Sequence, residues 1–322
     1  MIESLPNTSV SEVAKRLVSM RQESGVSALG RVLTLVIAAS GELDEAAIEA
    51  ANHASNEHPM RVIVLLTRPD EAEPRLDAEI RVGADAGASD VVVLSAYGAA
   101  ATGVESLVTG LLLPDAPVAV WWPEDAPDRP GSDPVGRIAQ RRITDAVNAG
   151  WGGRIAGYSP GDTDLAWTRL TRWREFLAAI LDQPPFDPVT SVEVVGSVES
   201  PSTELLAAWL ELALDVPTSC VLLDRAQHAE GVRSVTLRRA GGDAVLERTS
   251  ASRADLRQPG QPTHEIVLPR RSLSECLAEE LRGLHEDIMY GRVLEQLRRS
   301  RAARGAAGTA RATTPSTEEM EH

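Results

Sequence analysis

Chemistry on this chain has one obvious place to look, the stretch from Leu111 to Ala146 (LLLPDAPVAVWWPEDAPDRPGSDPVGRIAQRRITDA). An apolar run ends in Trp121, Trp122 and Pro123. Prolines then hold the backbone out of regular structure, and Asp133, Arg137, Arg141, Arg142, Thr144 and Asp145 follow. Guanidinium groups suit phosphate oxygens and carboxylates because their N–H groups form a planar fork. Tryptophan and arginine are also the side chains most enriched where protein surfaces bind each other. The stretch therefore admits three roles: a phosphate site at Arg137, Arg141 and Arg142, a docking edge, or a structural join in which the tryptophans cap a core. Asp133, Asp145 and Glu124 are the carboxylates expected to pair with some of these arginines.

Other chemistry fails on its own terms. Gly157-Tyr158-Ser159-Pro160-Gly161 matches the Gly-x-Ser-x-Gly nucleophile elbow. The oxyanion hole of that elbow needs the N–H of the residue after the serine, and Pro160 has none. His53 and His58 fall on different sides of a helix, and His285, Glu286 and Asp287 are adjacent and diverge, so no metal site is expected. Cys220 and Cys276 show no Cys-x-x-Cys spacing; a redox pair would need the fold to bring them together. Lys15 is the only lysine, which removes the standard phosphate loop. The turn Ser40-Gly41-Glu42 lacks the spaced glycines of a dinucleotide site. No cofactor and no catalytic residue are expected.

With 322 residues and 43% hydrophobic composition the chain can fill two cores. A net charge of −15 argues against general nucleic-acid binding and against anionic membranes. No apolar run approaches a membrane span and no secretory signal is read, so a soluble cytosolic protein is expected.

The elements that must position these residues follow from periodicity. Ser9–Glu12 is a capping box opening a helix to about residue 21. Residues 31–39 and 61–67 are buried strands around a helix at 42–55, a βαβ pattern that predicts a parallel pair. Residues 76–82 alternate as a half-buried strand. Strands at 91–94 and 118–122 flank a helix at 102–113. A short helix is expected over 134–141, capped at Asp133, a glycine-rich loop over 149–161, and one helix over 162–181. The prolines at 184–188 mark a domain boundary. Beyond them come a strand at 191–196, a helix from Ser200 and four β-like runs at 219–223, 233–239, 244–249 and 264–268. A second capping box at Ser272–Glu275 opens a helical region to about 298, with a break at Gly283. The tail from Ser300 has no apolar face and is expected to be disordered. The fold class is α/β: a mixed or mostly parallel N-terminal sheet flanked by helices over 1–183, a smaller α+β domain over 184–299, and a tail over 300–322.

Leu111–Pro123, Asp133–Ala146, the strand RVLTLV (Arg31–Val36) and EHPMRVIVL (Glu57–Leu65) together resemble the glucose-6-phosphate dehydrogenase assembly proteins, the OpcA family. The resemblance extends to about Arg298. It implies a non-catalytic partner of glucose-6-phosphate dehydrogenase that promotes its assembly or activates it, supporting the oxidative pentose phosphate pathway and NADPH supply. It brings no catalytic residues with it. The alternative left by the residues themselves is a sensor or enzyme that binds a sugar phosphate or nucleotide at the arginines.

Overall fold

The computed structural model describes residues 1–23, 32–42, 45–83, 90–146, 151–184, 186–227 and 230–312, with side chains up to residue 303. The chain forms two units that are discontinuous in sequence. The first holds Met1–Ala178, Ser250–Arg253 and Val267–Ile288; the second holds Ala179–Thr249, Ala254–Ile266 and the chain from Met289.

The strands of the first unit are β1 (Ile2–Leu5), β2 (Leu33–Ser40), β3 (Met60–Arg68), β4 (Arg75–Arg81), β5 (Asp90–Tyr97), β6 (Val118–Trp122), β7 (Arg141–Thr144) and β8 (Asp162–Asp164). Its helices are α1 (Val10–Glu23), α2 (Glu45–Ala54), α3 (Val104–Thr109), α4 (Trp151–Gly157) and α5 (Leu165–Thr168), and it ends within α6 (Thr171–Leu181). α7 (Pro201–Leu214) belongs to the second unit, and α8 (Leu273–Arg282) returns to the first.

The eight strands form one sheet in the order β1-β4-β5-β3-β2-β6-β7-β8. β5, β3, β2, β6, β7 and β8 are parallel, while β4 and β1 are antiparallel additions at one edge. After β1 at one edge, the parallel strands start at the centre on β2, proceed outward through β3 to β5 with β4 added at the edge between them, then cross back to β6 and wind outward the other way. That is the doubly wound order, with its switch point between β2 and β6.

Strand alternation feeds two cores. Leu35, Ile37, Val62, Val64 and Trp121 share one with Ala47, Ile48 and Ala51 of α2 and with Cys276, Leu277 and Leu281 of α8. Val36, Ala38, Ile63, Leu65, Val120 and Trp122 share the other with Val13, Leu17 and Met20 of α1. Both faces of β2 and β6 are therefore buried, which explains why these strands read as unbroken apolar runs. β4 buries Leu76, Ala78 and Ile80 and turns Arg75, Asp77, Glu79 and Arg81 away from that core, as its alternation predicts.

Three local expectations are corrected. Residues 134–141 are not a helix: 3-10 turns at Pro130–Ser132 and Gly136–Ile138 lead directly into β7. Asp133 does cap, its Oδ1 accepting from the amides of Val135 (2.8 Å) and Gly136 (3.1 Å). Residues 151–157 are α4 rather than loop. Gly153 and Gly157, one turn apart, face Asp128; a Cβ on either would lie within 2.1–2.2 Å of Asp128 atoms. They permit close approach rather than supply flexibility. The long helix expected from residue 162 begins instead as β8. Asp164 then accepts from the amide of Ala166 and caps α5, so an acidic triplet that reads as a helix start is a buried strand.

The second unit is built on β9 (Val189–Ser197), β10 (Thr218–Leu223), β11 (Val232–Arg239), β12 (Ala244–Arg248), β13 (Arg253–Arg257) and β14 (His264–Val267). Their order is β10-β9-β11-β12-β13-β14. β9 and β10 are parallel and joined through α7; β9–β11, β11–β12 and β12–β13 are antiparallel. β13 carries no apolar run and was not expected. The tail is also corrected. α9 (Ile288–Ala312) continues past Ser300, where Ser300 Oγ donates to Glu211 (2.7 Å) and Arg301 Nε to Glu204 (3.2 Å) on α7. Residues 313–322 lie outside the described residues.

Candidate functional site

The carboxyl end of β6 places Trp121 and Trp122, and the parallel neighbours β2 and β3 end beside it. A crevice of about 280 Å³ opens there, lined by Ala38, Ala39 and Ser40 of β2, Leu65 and Thr67 of β3, Ala101, Thr102 and Val104 before and in α3, Trp122, and Asp125, Pro127, Asp133, Pro134 and Val135 of the proline-rich segment. It occupies the switch point, where α/β sheets bind ligands. Gly136 is required beneath it: a Cβ there would lie 1.8 Å from the Pro130 carbonyl oxygen and 3.3 Å from the Trp122 ring.

In a dinucleotide fold this crevice would cradle a diphosphate on free amides after the first strand. Here the Gly41 amide donates to the Thr67 carbonyl at 2.9 Å. Among the described residues the lining contains no arginine, lysine or histidine, and its charged members are Asp125 and Asp133. An anion meets repulsion there rather than a fork of donors.

The arginines singled out in the sequence are next to this crevice in the chain but do not serve it. Alternation on β7 sends Arg141 to the α8 face and Arg142 to the other, and both are buried. Arg141 donates from Nε to Glu280 at 3.0 Å, from Nη2 to the same carboxylate, and from Nη1 to the His285 carbonyl at 2.9 Å. Glu280 also accepts from Thr168. Arg142 donates to Asp162 (2.5 Å) and to the carbonyls of Ala139 (2.9 Å) and Pro160. Each of these arginines is buried and already donates from Nε, Nη1 and Nη2 to protein acceptors, so neither presents an open fork to a phosphate, and the phosphate-site expectation for Arg141 and Arg142 is corrected.

Thr144 and Asp145 are equally internal. Thr144 Oγ1 donates to Asp164 Oδ2 (2.5 Å), and Asp145 takes a bidentate bond from Arg169 (2.8 and 2.6 Å). Burial, reinforced by the nearby Asp145 carboxylate, raises Asp164 to about 6. Of the expected residues, Trp121 and Pro123 are buried, Trp122 is buried as a crevice wall, Asp133 is half-buried in the crevice, and Arg137 is exposed, pairing with Glu105 at 3.1 Å. The crevice residues Ser40, Thr67, Thr102 and Asp125 were not singled out by sequence. Their one signal is position, at the ends of strands beside a switch point that only the sheet order reveals.

Elsewhere, no group of three His, Cys, Asp or Glu among the described residues could hold a metal. Both cysteines are free, Cys276 buried and Cys220 partly so. No described helix is long and apolar enough to cross a membrane.

Strand order and crevice together define a doubly wound α/β protein whose switch point, among the described residues, has no dinucleotide cradle. The chain belongs to the glucose-6-phosphate dehydrogenase assembly protein family, OpcA. Family models described as the N-terminal and C-terminal domains of a glucose-6-phosphate dehydrogenase subunit match residues 51–154 and 160–294, respectively. The gap between the two matches, residues 155–159, runs from within α4 to just before β8, so both matches contribute strands to the eight-stranded sheet. No curated protein matches. Among solved structures, a Gfo/Idh/MocA family oxidoreductase from Vibrio cholerae is 10% identical, with 88% of this chain and 100% of that chain covered and a TM-score of 0.43. An oxidoreductase from Sinorhizobium meliloti is 11% identical, with 84% and 89% covered and a TM-score of 0.39. At these scores neither likeness carries an argument.

Proposed function

We propose that this chain is a non-catalytic component of glucose-6-phosphate dehydrogenase that acts on the enzyme's assembly or activity through binding energy, in the cytoplasm, in support of NADPH supply. The observation that carries the reading is the pair of family matches, both named for a subunit of that enzyme, over residues 51–294. The chemistry of the switch point supports it. A crevice with two carboxylates and an engaged first-turn amide is poorly suited to NADP or a sugar phosphate. A binding protein that prefers the active form of an enzyme to the inactive form shifts the population by that difference, roughly 1–3 kcal/mol in typical couplings.

The test is direct. Mixing the purified chain with its cognate dehydrogenase is expected to give a complex on size exclusion and a change in initial rate, in apparent substrate affinity or in oligomer size. Absence of a complex together with unchanged kinetics refutes the reading. A ligand-sensing role predicts instead that NADP or a sugar phosphate alone raises the melting temperature by mass action; no such shift is expected.

A further inference from the structure

The switch-point crevice has a specific chemistry that the binding role proposed above leaves unused. Its buried walls are Leu65, Trp122 and Val135, and its exposed members include Ser40, Thr102 and Asp125. Asp125 makes no hydrogen bond or ion pair among the described residues. Asp133 is the second carboxylate of the lining, its Oδ1 accepting from two backbone amides. The volume, about 280 Å³, is at the small end for ligand pockets. An anion is repelled, and a purely apolar plug would strip water from two carboxylates without replacing it. A side chain with an apolar stem and a cationic head satisfies both parts, since long basic side chains bury their methylenes and keep the charge at the rim.

We infer that this crevice receives an arginine or lysine side chain of a partner protein, with the stem against Trp122 and the cationic head at Asp125 and Asp133. The inference rests on the reading of the chain as a binding protein for the dehydrogenase and identifies where on it the partner engages. The net charge of −15 assists, because an acidic protein draws a basic patch toward it over long range.

Two variants test it with the dehydrogenase as partner. Asp125→Asn removes the charge with the least backbone disturbance: Asp125 sits at φ 39, a left-handed conformation that asparagine tolerates well. Ala101→Phe fills the cavity from its half-buried wall. Each is expected to weaken the complex about tenfold, as loss of one charge-assisted contact does, with a melting temperature close to that of the wild type. The Asp125→Asn deficit should shrink as salt is raised. Wild-type affinity in both variants overturns the inference and leaves the proposed role in the dehydrogenase standing. If the wild type itself forms no complex, that role fails. The crevice is then tested alone with agmatine, a guanidinium on a four-carbon stem whose far end carries an ammonium. A rise in melting temperature with agmatine that is lost in Asp125→Asn supports the cation site, and no rise overturns it.

Discussion

Trp121 and Trp122, adjacent in sequence, leave β6 on opposite faces of the sheet: Trp121 is buried in the core shared with α2 and α8, Trp122 in the core shared with α1. One dipeptide therefore anchors both layers. Trp121→Ala is expected to cost roughly 3–5 kcal/mol, the range for emptying a large buried aromatic site. Trp122→Phe, which keeps an aromatic wall beside the crevice, should cost less than about 2 kcal/mol. Urea unfolding followed by circular dichroism separates the two.

Arg141 and Glu280 form a buried pair between β7 and α8. Arg141→Gln leaves the Glu280 carboxylate internal and undercompensated, with an expected loss of roughly 3–5 kcal/mol. Replacing both partners by leucine should recover part of that loss. A double-mutant cycle measures the coupling, and strict additivity of the two single changes would contradict a direct interaction.

Asp164 gives a pH signature of unusual sign. Its carboxyl is raised from the ordinary 3.8 to about 6 by burial and by Asp145. Between these values the native state holds the proton and the unfolded state does not, so stability falls as pH rises through about 4 to 6 and then levels. Asp164→Asn keeps an acceptor for the Ala166 amide but cannot ionise. The stability of wild type minus that of Asp164→Asn should decrease by roughly 2–3 kcal/mol across that window, read from urea unfolding at several pH values.

Two glycines predict opposite effects. Gly136→Ala drives a Cβ to 1.8 Å from the Pro130 oxygen and should destabilise by well over about 1 kcal/mol. Gly152, in α4, has nothing within 4 Å of an added Cβ. Gly152→Ala should stabilise by about 0.5–1 kcal/mol through helix propensity. Thermal melts of the two variants decide the matter.

The thiols should differ in reactivity. Burial pushes Cys276 up to about 11, so little thiolate exists at pH 8. Native labelling with iodoacetamide is expected to spare Cys276 and to reach the half-exposed Cys220, with both modified after denaturation. Mass spectrometry of the labelled peptides reads the outcome.

What could be read from the sequence depended on whether a residue's neighbours lay nearby in the chain. The apolar runs of β2, β3 and β6 announce two-sided burial by themselves, and both capping boxes form as written, with Ser9 and Glu12 bonded at 3.0–3.3 Å and Ser272 and Glu275 closing reciprocally. The arginines of β7 did not announce their role, because Arg141 meets Glu280 139 residues away and a guanidinium suits a buried carboxylate as well as a surface phosphate. Gly153 and Gly157 of α4 point to a loop because their reason for being glycine, Asp128, comes from another segment. The crevice was invisible for the same cause: no local pattern states that β6 returns to lie beside β2.

The return of Val267–Ile288 to the first unit has a practical consequence for anyone dissecting this protein. A fragment cut at the proline-rich boundary would carry Arg141 without Glu280 and one sheet face without α8, and should be insoluble or molten when expressed alone. Supplied in trans, a peptide spanning residues 267–288 would return α8 and Glu280 to such a fragment.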